Sequence, residues 1–315
     1  MRRGALVAMA GALALTGCDS VLEPDRRAGF DKISVSAIAS VDSAPLYLGR
    51  AKGIFDKQKI DLTISAVPNG AASVTAATGG QFPIGLANTA ALLVARASGA
   101  DVKVLANGVS STGKPGKDFS AILVPQASAV QGAADLAGAK IGVNQLKSIG
   151  DTTVRASIRK AGGDPTKVKF VDVAFDQALA KLTAGEVDAI CVAEPYVTAA
   201  IGQGARVVGW NYADTTPNLT TAMYFTTGKY AAANPDLLRR FTAALVESLQ
   251  YAGAHERETR EIVSTYLQVD AGVPAKMVLP KWPTEVNKAS VQRVADLARG
   301  DGVLTKSVDV DSLLP

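Results

Sequence analysis

Five short stretches hold the polar side chains best spaced for chemistry, and each follows an apolar run. They are Asp42-Ser43 in SVDSAPLY, Asn69-Gly70-Ala71 in PNGAAS, Asn88-Thr89 in LANTAA, Ser148 with Gly150-Asp151-Thr152 in NQLKSIGDTTV, and Glu194 with Tyr196 in VAEPYV. Such groups donate and accept hydrogen bonds, which suits recognition of a small polar molecule. Backbone N–H groups at the helix start after Asn69 favour an anionic or carbonyl oxygen. Tyr196 can stack on a bound ring or hydrogen-bond to it, and Trp210, Asn211 and Tyr212 offer further walls. Each group also has an ordinary structural use: Asp42, Ser43 and Thr89 as N-caps, Asn69-Gly70 as a plain turn, Glu194 as a charge offsetting a helix dipole.

Bond-breaking chemistry lacks material. His255 is the single histidine and falls in the helical stretch YAGAHERE, so neither a hydrolase triad nor a histidine metal site can be assembled. In GVSSTGKP, Pro115 follows Lys114 where a phosphate loop needs Ser or Thr, and it obstructs the helix that would cradle phosphate. Cys191 lies inside the apolar run AICVA, away from any group that would activate a thiol. The expectation is a protein that is not an enzyme and holds neither cofactor nor metal. Asp42 and Glu194 count against a simple inorganic anion, which two carboxylates in a dry cleft would repel by on the order of several kcal/mol. No Arg falls in these loops and Lys147 is the one nearby cation. The balance tilts toward a small organic molecule, heterocyclic or aromatic, with donors as well as acceptors.

The elements that position these loops alternate. ISVSAIA, IDLTISAV, FPIGLA and VKVLA read as strands, separated by helical patterns in PLYLGRAKG, AASVTAATGG and TAALLVARASG. AKIGV, VKFVDV, VDAICV and ARVVG repeat the scheme with helices in DTTVRASIRKAGG, DQALAKLTAGE and PYVTAAIGQG. Alternation in short units argues for mainly parallel sheets flanked by helices. Two similar α/β lobes follow, with FSAILV and TAMYFTT as strands suited to crossing between them. The boundaries expected are 32–118 plus 215–315 for the first lobe and 119–214 for the second. Beyond Asn234, a candidate cap, the chain reads as mainly helical and is expected to pack on the first lobe. Two crossings make a hinge, and Glu194 could either face the ligand or pair with a lysine of the other lobe to lock closure.

The amino-terminal end bears on location. Met1-Arg2-Arg3 precedes a charge-free run from Gly4 to Gly17, too short for the roughly 20 apolar residues of a membrane-spanning helix. This reads as a signal peptide over 1–17. Leu15-Thr16-Gly17-Cys18 resembles the lipobox of bacterial lipoproteins, which implies acyl chains such as palmitate on Cys18, a linker over 18–31 and a domain held extracytoplasmically at the membrane. With Cys18 lipidated, Cys191 has no disulfide partner. Arg2 and Arg3 leave with the leader, so the 33 basic residues fall nearly level with the 29 acidic ones, and no basic cluster offers a footprint for nucleic acid.

APLYLGRAKGIFDKQKIDLTI, TGGQFPIGLANTAALLVARASGADVKVLA, VQGAADLAGAKIGV and ALAKLTAGEVDAICVAEPY together resemble the solute-binding proteins of ABC importers of the nitrate, sulfonate, taurine and thiamine-pyrimidine type. The resemblance runs from about Ser36 to Val208 with order and spacing kept. It implies a two-lobed periplasmic-binding-protein fold of the two-crossover type (type II) and a small organic ligand, sulfonate-, aromatic- or pyrimidine-like, in the interlobe cleft, with the 148–152 loop holding the ligand's polar end. It further implies a monomer that serves an ABC permease and its ATPase. An enzyme on the same fold, desulfinase-like, and a sensory lipoprotein are the alternatives.

Overall fold

The computed structural model describes residues 28–315, so Cys18 and the residues around it lie outside the described part. The first half of the chain runs β1 Asp31–Ile38, α1 Ala44–Ala51, α2 Ile54–Lys57, β2 Ile60–Val67, α3 Gly70–Thr78, β3 Ile84–Asn88, α4 Thr89–Ala97 and β4 Val102–Ser110. A second α/β run follows with β5 Ser120–Pro125, β6 Lys140–Val143, α5 Ile149–Lys160, β7 Lys169–Asp172, α6 Phe175–Thr183, β8 Ala189–Ala193, α7 Tyr196–Gly202, β9 Ala205–Gly209 and α8 Asn211–Thr215. The chain ends with β10 Thr220–Thr227, α9 Gly228–Ala233, α10 Pro235–Ala254, α11 Glu256–Val263, α12 Val273–Lys276 and α13 Lys288–Gly300.

The strands form two five-stranded sheets, ordered β2-β1-β3-β10-β4 and β7-β6-β8-β5-β9. In the first, β1 is parallel to β2 and β3, while β10 runs antiparallel to β3 and β4. The second repeats this, with β6 parallel to β7 and β8, and β5 antiparallel to β8 and β9. The reversed strand takes the fourth place in each sheet, and in each it is the strand arriving from the other lobe. The stretches FSAILV and TAMYFTT are thus the crossing strands. This is the two-lobed mixed α/β architecture that the alternation implied.

Central strands are buried on both faces and read as unbroken apolar runs: every residue of β8, AICVA, is buried. The first lobe has one large core, to which Phe119, Ile149, Ala193 and Tyr212 of the second run also belong, so apolar packing continues across the interface. The second sheet separates its own core into two clusters, one on each face. Helices α10 and α11 pack on α1 and α13 packs on α4, placing the tail on the first lobe; α13 also touches α5 and α12 touches α7 in the second. Asn234 stands just before α10 without capping it, and its Nδ2 donates back to the Tyr230 carbonyl (3.2 Å).

The hinge is tied from within. Buried Asp118 accepts from the backbone N–H groups of Thr112 (3.0 Å) and Phe119 (3.0 Å), and Ser111 N–H donates to the Leu219 carbonyl (2.8 Å), joining the two crossing segments. Lys114 and Pro115 lie in this loop, and a strand follows them, not a helix that could cradle phosphate.

Candidate functional site

The loops leaving β1, β2, β3, β6 and β8 meet at the interface between the lobes, the side on which ligands of open α/β sheets bind. Four contacts define it. Ser148 Oγ donates to Asn88 Oδ1 (3.0 Å), Ala71 N–H to Gln145 Oε1 (3.1 Å), Val41 N–H to the Glu194 carbonyl (3.0 Å) and Val278 N–H to Glu194 Oε1 (3.0 Å). Farther out, Arg159 on α5 pairs with Asp301 beyond α13.

Asp42 sits in a 3-10 turn, Val41–Ser43, between β1 and α1. It keeps some accessible surface, yet its Oδ1 is enclosed and has no partner. Burial pushes its carboxyl up to about 7, against the opposing pull of Ser40 and its own amide. Three phenols are close enough to sense its charge: Tyr212 from the second lobe, Tyr224 on β10 and Tyr266. All three are raised chiefly by burial. The hydroxyls of Ser40, Thr152 and Tyr224 are buried and unpartnered as well. Arg155 Nε, Trp282 Nε1 and Asp301 Oδ2 are buried and unpartnered too; buried polar atoms in folded proteins nearly always have partners, and Asp42 with Tyr224 is the pair of such groups that also sense one another.

Other sequence candidates carry structural bonds. Ser43 Oγ donates to the Ile38 carbonyl (2.7 Å) and Thr89 Oγ1 to that of Thr220 (2.6 Å). Asn69 caps α3 by accepting from Ala72 N–H (3.0 Å), and Asn88 caps α4 by accepting from Ala91 N–H (2.9 Å). Gly70 is required small, since a Cβ there would lie 2.8 Å from Asn88 Nδ2. Gly150 packs on Val143. Asp151 accepts from the Ser148 (2.8 Å) and Lys147 (2.9 Å) amides and is a capping carboxylate; burial raises its pKa nonetheless. Asn211 bonds Thr153 (2.9 Å) and Ser120 (3.0 Å) inside the second lobe, and Trp210 packs there too, leaving Tyr212 to face the interface.

Glu194, 1% exposed, is the most heavily bonded of the sequence candidates. Oε2 accepts from Thr198 N–H (3.0 Å), and Oε1 from Thr198 Oγ1 (2.8 Å) besides Val278 N–H. Its link to the other lobe therefore runs through a backbone amide, not a lysine. Burial raises its pKa against these bonds and the charge of Arg260. Tyr196 stands apart, tilted 35° against Phe175 at 5.7 Å, in a side cavity of about 230 Å³ between α6 and α7 beneath Gln268–Asp270.

Gln145, Tyr224, Tyr266 and Val278 were not anticipated. Gln145 was signalled by its place in the NQLKS segment between β6 and α5, just ahead of Ser148; Tyr224 and Val278 sit in apolar surroundings that read as core. Cys191 is buried, and burial pushes its thiol up to about 12, so it stays protonated. His255 is exposed and stacked on Tyr251 at 3.8 Å. Among the described residues, no group of His, Cys, Asp and Glu could hold a metal ion, and no helix is long and apolar enough to cross a membrane.

Two matching sheets, each with its fourth strand arriving from the other lobe, define the two-lobed periplasmic-binding-protein fold. The chain belongs to the NMT1/THI5-like family, whose model matches residues 40–259. It is 27% identical over 308 residues, 90% of this chain and 92% of the relative, to a protein of Escherichia coli (strain K12) provisionally named as aliphatic sulfonates-binding. Among solved structures, the alkanesulfonate-binding protein SsuA of Xanthomonas axonopodis pv. citri, bound to MOPS, superposes with a TM-score of 0.75 at 20% identity, covering 90% of this chain and 98% of that one. The periplasmic nitrate-binding protein NrtA of Synechocystis superposes with a TM-score of 0.76 at 15% identity, covering 90% and 86%. At these identities the structural likeness concerns the fold.

Proposed function

We propose that this chain is the extracytoplasmic solute-binding component of an ABC transporter, capturing a small organic solute between its lobes and delivering it to the permease. The observation that carries this reading is the polar grouping at the lobe interface around Asp42, whose Oδ1 is buried and unpartnered like the hydroxyl of Tyr224, with Tyr212 of the second lobe close enough to sense its charge. A ligand that touches both lobes favours the closed form by its differential contacts. The protein works as a monomer held to the membrane by lipid on Cys18, over lobe boundaries at 32–118 plus 215–315 and 119–214. It is a binding protein rather than an enzyme: a thiol raised to about 12 supplies no nucleophile for desulfinase chemistry.

A thermal-shift screen over sulfonates, aromatic carboxylates, nitrogen heterocycles and nitrate, paired with small-angle scattering, tests it. A ligand at 100 times its Kd adds about 2.7 kcal/mol of stability and shrinks the radius of gyration. Turnover of a solute, or a panel in which nothing stabilises or compacts the protein, would sink the reading. Mass spectrometry of the mature amino-terminal peptide checks the anchor: acyl mass on Cys18 is expected, and Cys18→Ser should release the protein from membranes.

A further inference from the structure

We infer that the cleft selects a small solute handing an N–H to Asp42 (an amine, an amide or a protonated ring nitrogen) over an oxyanion of the same size. This rests on the solute-binding reading above and narrows it.

At or just before each helix start that could hold an oxyanion, a protein oxygen already takes at least one of the amides. At α3, Ala71 N–H is taken by Gln145 Oε1 of the opposite lobe; at α4, Ala91 N–H is taken by Asn88 Oδ1. At α5, Asp151 takes the Ser148 and Lys147 amides, and at α7, Glu194 takes that of Thr198. Two of these caps are themselves carboxylates, which repel a second anion. Nor does a cation compensate Asp42: the groups acting on it are Ser40 and its own amide, not Lys or Arg. Arg260, the cation that acts on Glu194, is committed to the Pro274 and Met277 carbonyls.

What the cleft leaves open is an acceptor. Asp42 Oδ1 is enclosed without a donor, and its neighbour Ser43 is engaged elsewhere. An N–H placed there supplies the missing bond and favours the charged carboxylate, whereas an oxyanion brings a second negative charge into a dry site. The unpartnered hydroxyl of Tyr224, close enough to sense Asp42, can donate to a carbonyl or ring nitrogen on the same solute. A site built to hydrogen-bond a particular group rejects analogues lacking it far more strongly than an apolar pocket discriminates by size.

Calorimetric titration of the full mature chain with size-matched aromatic probes tests this at mildly alkaline pH. Benzylamine and benzamide are expected to bind at least about tenfold more tightly than benzenesulfonate and benzoate. Asp42→Asn should erase that preference, Tyr224→Phe should weaken benzamide while leaving the fold intact, and Asp176→Asn, in the side cavity, should change neither. Anions that bind as well as the donors, or donor binding untouched by Asp42→Asn, would overturn the inference while leaving solute capture standing. If none of the four binds, the solute that closes the lobes in the broader screen decides: an oxyanion refutes the inference and an N–H donor supports it. A screen in which no solute acts removes both claims together.

Discussion

Glu194 holds a helix start and a lobe at once, because one carboxylate accepts from Thr198 N–H, Thr198 Oγ1 and Val278 N–H. Glu194→Gln puts an NH₂ donor where an acceptor is needed, so one of these bonds is lost. The expected cost is about 1–3 kcal/mol, seen as a lower urea midpoint together with a larger radius of gyration; a variant as stable and compact as wild type would show that Glu194 is no latch. Tyr224→Phe should move the other way in the ligand-free protein, since deleting a buried, unpaired hydroxyl relieves a desolvation penalty of roughly 1 kcal/mol or more. The sequence made Glu194 conspicuous as an acid after an apolar strand. Its partner Val278 lies 84 positions away, and nothing local links them. Tyr224, amid TAMYFTT, carries the pattern of a core residue, and only its unpaired hydroxyl shows otherwise.

At the scale of elements, strands and helices were legible because apolar periodicity and glycine stops are local signals. Asn69, Asn88 and Asp151 show where that legibility ended: capping and ligand contact call for the same residue types at the same helix starts, and only hydrogen-bond partners tell them apart. Helix–helix distance was equally hidden. Gly49 lies in mid-α1, where Ala would normally gain about 1 kcal/mol of helix propensity. A Cβ there would lie 2.0 Å from Ser248 Oγ and 2.7 Å from Ser248 Cβ on α10. The contact must open, and overpacking of this kind costs roughly 1–3 kcal/mol. Gly49→Ala should therefore lower the Tm despite the better helix former, and adding Ser248→Gly should recover part of the loss. A Tm at or above wild type for Gly49→Ala would mean that α1 and α10 sit farther apart than described.

For the whole molecule, folding and proton uptake are coupled through Asp42. Its carboxyl is raised to about 7 in the fold from an ordinary value near 3.8. Between these values the folded chain holds a proton that the unfolded chain has released, so the stability this group contributes is full at acid pH and declines as pH rises toward 7. The facing phenols Tyr212, Tyr224 and Tyr266 are all raised from 10.0 and stay neutral throughout that window. Glu194 and Asp151 are raised by burial and slope the same way, so total stability is not the readout. The difference between wild type and Asp42→Asn isolates the one group. Calorimetric melts should find the wild type losing stability relative to Asp42→Asn as pH rises from 3.8 toward about 7, because the neutral amide escapes the cost of a buried charge. A gap of constant size across that range would place Asp42 in contact with solvent and remove it from the dry centre of the cleft. An N–H donor in the cleft should narrow the alkaline gap, since it gives the ionised carboxylate the partner that the protein alone does not provide.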